Sequence, residues 1–455
     1  MRVAESVADV FNASDLAERT VLRRAVESVT WGIPAVNFDR LRQAMVRGGG
    51  AFNQIVYWSR LADWKNQTLT PNPDVVCAMP FISTKDLGPV VLEIPPADDG
   101  TITGTLSDCW QGALEDVGPA GADKGRGGKY LILPPDYGGA VPHGYITLPS
   151  SCFHNYGVLR SVVNSRDDAD VARAVAHAKR IQLYPLERAG LPPATTFVDV
   201  ADVVFDGTIP YDLRFFQSLD RIVQAEPWQT RDKVMIDVLK SIGIEKGKAF
   251  MPNPKLQETL HAAAREARAA LNARFETVFP PFYGDRQWAV VAPPEILETM
   301  GTLYEKSETY AIDARALVFY FACSWAKRPR ADQFSLWSMR DSSRRFLDGH
   351  ATYRLTLPPN VPARHYWSVV VYDRATHSFI RNLARPGRSS WNEGIQKKAD
   401  GAIDFYLGPD VPPGKDANWI PTIAKGQFEV CIRFSGPEQP LFDNTWKLPD
   451  IEKIS

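Results

Sequence analysis

Short apolar runs separated by glycine- and proline-rich turns recur along this chain, and they constrain its fold more than any other feature. The first set lies between Phe52 and Val163. A parallel α/β sheet needs a helix between most of its strands, whereas an antiparallel sandwich needs only turns. We therefore predict an N-terminal β-sandwich of jelly-roll type. Its clearest predicted strands are Gly88–Ile94, Lys129–Leu133, Tyr145–Leu148 and Tyr156–Val163.

A second set of apolar runs near the C-terminus predicts another sandwich of the same type. Turn sequences such as KKADG and GPDVPPGKD separate these runs. The predicted strands are Tyr353–Leu357, Tyr366–Tyr372, Ser378–Asn382, Ile403–Leu407 and Phe428–Phe434.

Helical spacing of apolar residues marks most of the remaining segments. The range 15–46 predicts one or two packed helices before a triple glycine. Ser165 and Asp168 form a capping-box pattern at the start of another predicted helix. The longest apolar stripe predicts a helix over Pro254–Phe279. The predicted fold class is therefore mainly β with helical additions, an α+β fold.

These patterns divide the 455 residues into four predicted parts, because a chain of this length is too long for a single ordinary core. The parts are an N-terminal helical lead-in at 1–50, an N-terminal β-sandwich with one helix at 51–196, a helical connector at 197–310 and a C-terminal β-sandwich at 311–455.

Charge and hydropathy argue against some classes of binding partner and indicate a cellular compartment. The formal net charge of -1 at pH 7 argues against nucleic acid and anionic membranes, which select a basic face. No run approaches the ~18 apolar residues of a membrane span, and the N-terminus lacks a secretory pattern. We expect a soluble cytoplasmic protein, or a periplasmic one if Met1 replaces a removed leader. The 5 widely spaced cysteines fit a reducing compartment.

The segment YWSRLADWKNQTLTPNPD, which ends at Asp74, is the strongest candidate for a binding site. Trp58 and Trp64 offer flat faces for stacking a substrate, and Lys65 offers positive charge. The same composition also suits a rigid corner whose aromatics fill a core, because proline and asparagine are ordinary turn residues. Under the binding hypothesis, the other residues expected to contact substrate are Asp63, Asn72, Trp110, Lys124 and Arg214.

Carboxylates near this segment suggest acid–base chemistry. Asp74, Asp108 and Glu115 are the candidate groups, because paired carboxylates divide the acid and base roles in glycosidic cleavage. A solvated face explains them equally well. Lys124 belongs to the loop GPAGADKGRGGK, after which Tyr130 stands where a P-loop needs serine or threonine. We interpret this loop as mobile and adjacent to a site for an anionic or polyhydroxyl ligand.

Five long motifs resemble sequences of a known protein family. They are WGIPAVNFD, YWSRLADWKNQTLTPNPD, LEDVGPAGADKGRGGKYLILPP, DGTIPYDLRFF and GQFEVCIRFSGPEQPLFDNTWKLPDIE. Together they resemble the bacterial family built from domains of unknown function 1254 and 1214 in tandem. The resemblance implies two jelly-roll sandwiches joined by helices. It also implies that related proteins are often exported. It implies little chemistry, because the family has no agreed reaction.

Departures from that family's pattern place cysteines near the candidate segments. Relatives differ where this chain has Cys77, Cys109 and Cys152, the last of which lies beside His154. If these groups converge, one mechanism is a thiolate nucleophile activated by His154, with Cys77 as the distinguishing group. Another is a soft-metal site with two or three sulfurs and one imidazole. The alternative is that each cysteine is a small buried hydrophobe.

The leading hypothesis is an enzyme that acts on a small or oligomeric polar organic substrate. We expect a hydrolase or lyase with carboxylate acid–base chemistry and a cysteine contribution, sited in the N-terminal sandwich against the connector. The alternatives are a carbohydrate- or metabolite-binding protein without catalysis and an envelope-associated assembly protein. No cofactor is required, although a divalent or soft metal suits the cysteines. A homodimer is the default expectation.

Overall fold

Two β-sandwiches and a layer of helices form the architecture, which confirms the predicted mainly β, α+β fold class. The computed structural model describes residues 12–291, 297–298, 305–306, 308–328 and 333–455. Residues 1–11 of the predicted lead-in and parts of the predicted connector lie outside the described residues.

The described helices are α1 (Ala13–Arg47), α2 (Asp168–Ala178), α3 (Leu213–Ala225), α4 (Met235–Lys240), α5 (Pro254–Phe275), α6 (Ile312–Phe321) and α7 (Gln439–Phe442). The strands of the N-terminal half are β1 (Gln54–Tyr57), β2 (Asn66–Gln67), β3 (Val75–Ser83), β4 (Val90–Ile94), β5 (Ile102–Asp108), β6 (Ala113–Val117), β7 (Gly128–Leu133), β8 (Ile146–Pro149), β9 (His154–Val162), β10 (Gln182–Pro185), β11 (Phe197–Asp199) and β12 (Phe205–Asp206). The later strands are β13 (Glu305–Lys306), β14 (Thr309–Tyr310), β15 (Gln333–Ser338), β16 (Tyr353–Leu357), β17 (Ala363–Asp373), β18 (Ser378–Phe379), β19 (Gly387–Ser389), β20 (Ile403–Gly408), β21 (Trp419–Pro421), β22 (Phe428–Pro437) and β23 (Glu452–Lys453).

The N-terminal sandwich packs a six-stranded sheet on a four-stranded sheet. The orders are β11-β1-β3-β9-β5-β6 and β10-β4-β7-β8. Pairing is antiparallel except for the edge pairs β1–β11 and β7–β8, which are parallel. Leu159 of the larger sheet and Leu92 and Ile132 of the smaller one share a single buried core. Burial from both sides therefore fixes the register of these strands.

Helix α1 is one continuous helix of 35 residues. It begins after Asn12, whose Oδ1 accepts a hydrogen bond from the backbone N–H of Ser14 at 2.8 Å. Ala25, Val29 and Ile33 follow one another at helical spacing and are fully buried. These three residues of the predicted helical stripe therefore pack into the protein.

The helical layer covers the outer face of the six-stranded sheet. Val56, Met79 and Phe81 of that sheet share one apolar cluster with the buried residues of α1, α3, α5 and α6. Asn37 ties α1 to the end of α6, because its Nδ2 donates to the backbone carbonyls of Phe319 at 3.1 Å and of Ala322 at 2.9 Å. The larger sheet is therefore buried on both faces.

The C-terminal sandwich packs the sheet β15-β22-β17-β18, to which β19 adds, on the sheet β21-β20-β16-β23. Val369 and Ile432 of the first sheet and Leu355 and Phe405 of the second lie in one core. Both halves are thus sandwiches, as predicted, while jelly-roll connectivity stays a prediction.

The two halves meet along the segment after β2. Gln67 Nε2 donates to the carbonyl of Phe379 at 2.9 Å, and the backbone N–H of Thr70 donates to the carbonyl of His377 at 2.7 Å. Tyr372 donates its hydroxyl to the carbonyl of Pro71 at 2.6 Å. These bonds anchor the TLTPNPD sequence against the C-terminal sheet.

The structure differs from several sequence predictions. Strands β11 and β12 lie in the range predicted as a helical connector, and α6 belongs to the helical layer although 311–455 was predicted as a sandwich. The predicted capping box is also wrong, because Asp167 is the residue that precedes α2 and makes no side-chain cap. Asp170 instead accepts from the backbone N–H groups of Asn164 and Ser165 at 2.6 and 2.9 Å.

Candidate functional site

A cavity of about 380 Å³ lies between the two halves. The N-terminal half, the segment that follows α6 and the C-terminal sheet all supply its walls. Its lining residues include Thr70, Asn72, Thr105, Arg160, Phe321, Ser324, Trp325, Phe334, Ser335, Trp337 and Arg433. A volume of this size suits a small organic molecule.

Two arginines give the cavity positive charge. Arg433, on β22, is only 9% exposed, and its Nη2 donates to the hydroxyl of Tyr372. Its Nη1 is buried and has no hydrogen-bond partner among the described residues. Arg160, on β9, lines the cavity from the opposite half. A buried guanidinium donor without a partner is costly, so an anionic ligand acceptor stabilises it.

Aromatic side chains and the absence of acids complete the character of the cavity. Trp325, Phe334 and Trp337 are partly exposed along its walls. Within the described part of the chain, no carboxylate side chain lines it. The cavity therefore combines positive charge with apolar walls, a combination that selects an anion carrying an apolar body.

Asn72 is the one residue of the sequence-predicted set that lines this cavity within the described chain. Its Nδ2 donates to the hydroxyl of Tyr366 at 3.3 Å, and its Oδ1 accepts from the backbone N–H of Asp74 at 3.0 Å. Asp74 is buried and forms an ion pair with Arg166. Burial raises the pKa of Asp74, although the charges of Arg166 and Arg433 act in the opposite direction.

The tryptophans expected to stack a substrate are packed instead. Trp58 is 2% exposed and meets Phe205 edge to face at 5.1 Å. Trp110 is 4% exposed and packs on Trp31 with ring centroids 4.6 Å apart. Because both rings are enclosed by the helical core, the structure favours the rigid-corner interpretation for Trp58 and a packing role for Trp110.

The neighbouring polar residues of that segment bond within their own half. The carboxylate of Asp63 accepts from the backbone N–H of Lys65 at 2.8 Å, and Lys65 Nζ lies 3.4 Å from Asp202. Trp64, which is partly exposed, accepts through its carbonyl from Gln67 at 2.6 Å. None of these three predicted binding residues contributes to the described lining of the cavity.

Glu115, Lys124 and Arg214 also lie away from the cavity lining. Glu115 forms ion pairs with Arg328 and Lys327; burial alone raises its pKa, but the Arg328 hydrogen bond and the nearby charges outweigh this and lower it. Lys124 is exposed in a left-handed turn with φ of 54°. Arg214 is exposed and pairs locally with the Asp212 carboxylate at 2.6 Å.

Asp108 closes the turn after β5. Its Oδ1 accepts from the backbone N–H groups of Trp110 at 2.9 Å and of Gly112 at 2.7 Å. Burial raises the pKa of Asp108 to about 6, although the Gly112 hydrogen bond and the Arg231 charge act in the opposite direction. This geometry is that of a buried turn staple and not of a carboxylate paired with Glu115.

The pKa of Asp108 predicts a pH-dependent stability. An unfolded aspartate has a pKa of ~3.9, so between pH ~4 and ~6 the folded state binds more protons and stability falls as pH rises. Asp108→Asn keeps the Oδ1 acceptor but does not titrate. We expect its free energy of unfolding, relative to that of the wild type, to increase by ~3 kcal/mol as the pH rises from 4 to 7. Urea unfolding with a chelator present measures this. Parallel pH profiles for the two proteins contradict it.

Two of the three predicted cysteines converge, and the third does not. The Sγ atoms of Cys109 and Cys152 and a carboxylate oxygen of Glu226 lie within 4.8 Å of one another. His154 directs its Nδ1 at Glu226 Oε1, 2.6 Å away. Cys77 instead faces Arg160 in the β3–β9 ladder, and burial raises the pKa of its thiol. A neutral thiol is a weak nucleophile, so the catalytic role predicted for Cys77 gains no support.

Sequence reasoning missed Arg160, Trp325, Arg433 and Glu226. A signal existed for Arg433, because a charged residue inside the apolar run FEVCIRF is expensive to bury without a partner. Arg160 in YGVLRSVV carries the same signal. Trp325 and Glu226 lie in segments without a distinctive local pattern, and only the tertiary fold brings them to these sites.

None of the helices in the described part of the chain combines the length and apolar character of a membrane crossing.

Comparison with solved structures finds the VPA0106 protein from Vibrio parahaemolyticus, with 17% identity and a TM-score of 0.55 over 96% of this chain and 100% of that one. This likeness shows the fold alone. An uncharacterised protein from Burkholderia cenocepacia matches with 10% identity and a TM-score of 0.40 over 97% and 96% of the two chains. No curated protein matches the chain.

Two family models match the chain, and each is described as a protein of unknown function. Domain of unknown function 1254 matches residues 52–185, within the N-terminal half. Domain of unknown function 1214 matches residues 332–439, within the C-terminal sandwich. The chain therefore belongs to the family in which domains of unknown function 1254 and 1214 occur in tandem.

Proposed function

We propose that the protein binds a small organic anion with an apolar body in the cavity between its two halves. The observation that carries this proposal is Arg433: among the described residues its buried Nη1 has no hydrogen-bond partner, and none of those that line the cavity is a carboxylate. Arg160 supplies a second positive charge from the other half. The ligand's anionic group interacts with these guanidinium groups, and its body packs against Trp325 and Trp337.

The chemistry of the walls narrows the ligand class. A carboxylate matches the planar fork of a guanidinium through two parallel hydrogen bonds. Asn72, Ser324 and Ser335 offer additional polar contacts. A neutral oligosaccharide leaves the Arg433 donor without a charged acceptor, so it fits this cavity less well than an anion does.

Catalysis on the bound anion is the second candidate function, and Asp74 favours it. This carboxyl is buried beside Asn72, and burial raises its pKa. A hydrolase or lyase needs such an acid near its substrate. Product formation by the wild type, with binding but no product formation by Asp74→Asn, distinguishes this candidate from binding alone.

A thermal unfolding screen tests the binding proposal, because a ligand that binds only the folded state raises the midpoint. The panel contains aromatic and medium-chain carboxylates, the amide and alcohol of each, uronic acids and neutral sugars. We expect carboxylates with apolar bodies to raise the midpoint and their matched amides and alcohols to leave it unchanged. A shift produced equally by each acid and its amide, or by neutral sugars alone, contradicts the proposal.

A further inference from the structure

A second constellation of ligating side chains is buried away from the interdomain cavity. Cys109, Cys152 and Glu226 place two sulfurs and one carboxylate oxygen within 4.8 Å of one another. Cys109 and Cys152 are fully buried, and Glu226 is 3% exposed. Buried sulfurs grouped with a carboxylate form a donor set that thiophilic divalent cations bind.

Three separate elements bring these donors together. Cys109 directly follows β5, Cys152 lies just before β9, and Glu226 directly follows α3. The backbone N–H of Cys109 donates to the carbonyl of His154 at 3.0 Å, which holds the two strand ends side by side. The donor group is therefore part of the join between the sheet and the helical layer.

Two backbone hydrogen bonds and one ring contact orient Glu226. Its Oε2 accepts from the backbone N–H of Phe153 at 2.7 Å, and its Oε1 accepts from the backbone N–H of His154 at 3.2 Å. The His154 ring adds a contact from Nδ1 to Oε1 at 2.6 Å and stacks on Phe52 with centroids 4.3 Å apart. A carboxylate has about four lone-pair sites, so one is left for a cation.

The position of His154 favours a metal site over the thiolate mechanism, although with a carboxylate in place of the imidazole ligand that the sequence suggested. His154 contacts the carboxylate through Nδ1, whereas a thiolate mechanism requires it to take a proton from sulfur. In metal sites the ligating carboxylates are themselves held by neighbouring residues, and His154 lies in such a position. Gln229 lies next to the group, with Nε2 3.4 Å from Cys152 Sγ, and rotation of its amide presents an oxygen as a fourth ligand.

We propose that Cys109, Cys152 and Glu226 bind one thiophilic divalent cation of the Zn²⁺ class. Binding converts both thiols to thiolates and releases two protons, and the carboxylate supplies the third donor. The ion ties the ends of β5 and β9 to the end of α3, so it stabilises the join of the sheet and the helices. Because this group lies outside the cavity lining, the inference is independent of the anion-binding proposal.

Cobalt binding tests the site, since Co²⁺ in thiolate coordination absorbs through sulfur-to-metal charge transfer. Reduced protein, freed of metal with a chelator, is titrated with Co²⁺ and then with Zn²⁺. We expect one equivalent of Co²⁺ to produce the band and Zn²⁺ to displace it. Cys152→Ser and Glu226→Gln are expected to lose the band or weaken binding at least tenfold, and His154→Ala to weaken it ~10–100-fold.

Cys431→Ser is the matched control, because Cys431 is an equally buried cysteine in the C-terminal sheet. It is expected to keep the full cobalt band, and circular dichroism confirms the fold of every variant. A wild-type protein that is folded and reduced but gives no thiolate band overturns the inference. A band that survives in both Cys152→Ser and Glu226→Gln also overturns it.

Discussion

Replacing Arg433 with glutamine is expected to lower the affinity for the best carboxylate ligand by ~10–100-fold. A hydrogen bond to a charged group contributes ~1.5–3 kcal/mol, and 1.4 kcal/mol corresponds to a factor of ten in affinity. The variant removes the charge of a guanidinium whose Nη1 lacks a partner among the described residues. Isothermal titration of the strongest ligand from the carboxylate panel measures the change.

Arg433 also holds the two halves together, because its Nη2 donates to Tyr372 and lies 3.4 Å from the carbonyls of Thr70 and Pro71. Its loss therefore affects stability as well as affinity. Arg160→Gln separates the two effects, because Arg160 lines the same cavity and its side chain makes no hydrogen bond to another described residue. Arg354→Gln, which removes a partner of Glu452 on the far sheet, serves as the control and is expected to bind normally. Wild-type affinity in folded Arg433→Gln and Arg160→Gln proteins excludes the proposed site.

Trp31→Ala is expected to reduce the free energy of unfolding by ~3–5 kcal/mol. Trp31 is 1% exposed and packs between Trp110 and Trp228, at centroid distances of 4.6 and 6.3 Å. Its Nε1 donates to the buried carboxylate of Asp232 at 2.7 Å. Truncation therefore opens a large cavity and leaves a buried acceptor without its donor. Urea unfolding should show a lower midpoint at an unchanged slope.

Trp31→Phe is the graded comparison, because it keeps an aromatic ring and removes the indole N–H. Its expected cost of ~1–3 kcal/mol is that of the unpaired Asp232 oxygen. If alanine and phenylalanine cost the same, the packing term assigned to the tryptophan is wrong.

Local patterns predicted the elements that are half-buried or clearly capped. The strand Tyr353–Leu357 has the predicted bounds, because its side chains alternate between the core and the surface. Helix α5 begins at the predicted Pro254, where Asn253 Oδ1 caps the Leu256 N–H at 2.9 Å. It ends at Phe275 and not at Phe279, since an apolar stripe continues into a packed turn without extending the helix.

Elements buried on both sides gave no readable period. Strand β3 has eight buried positions in nine, so its sequence VVCAMPFIS shows no alternation, and it is absent from the predicted strands.

The candidate cavity was missed for a different reason. Arg160 and Arg433 come from different sandwiches, and neither segment's pattern encodes the partner that it faces. The tryptophans at Trp58 and Trp110 gave the opposite error, since an aromatic segment does not show which rings a helix will cover.

Helix α1 has a consequence for where this protein can be divided. The two family matches span 52–185 and 332–439, so α1 and the edge strand β11 fall outside both. A fragment cut at residue 52 uncovers Val56, Met79 and Phe81, which α1 and its neighbouring helices shield. The boundaries of the family matches therefore do not coincide with the boundaries of a unit that could fold by itself. Helix α1 lies outside both matches, yet it covers one face of the N-terminal sandwich.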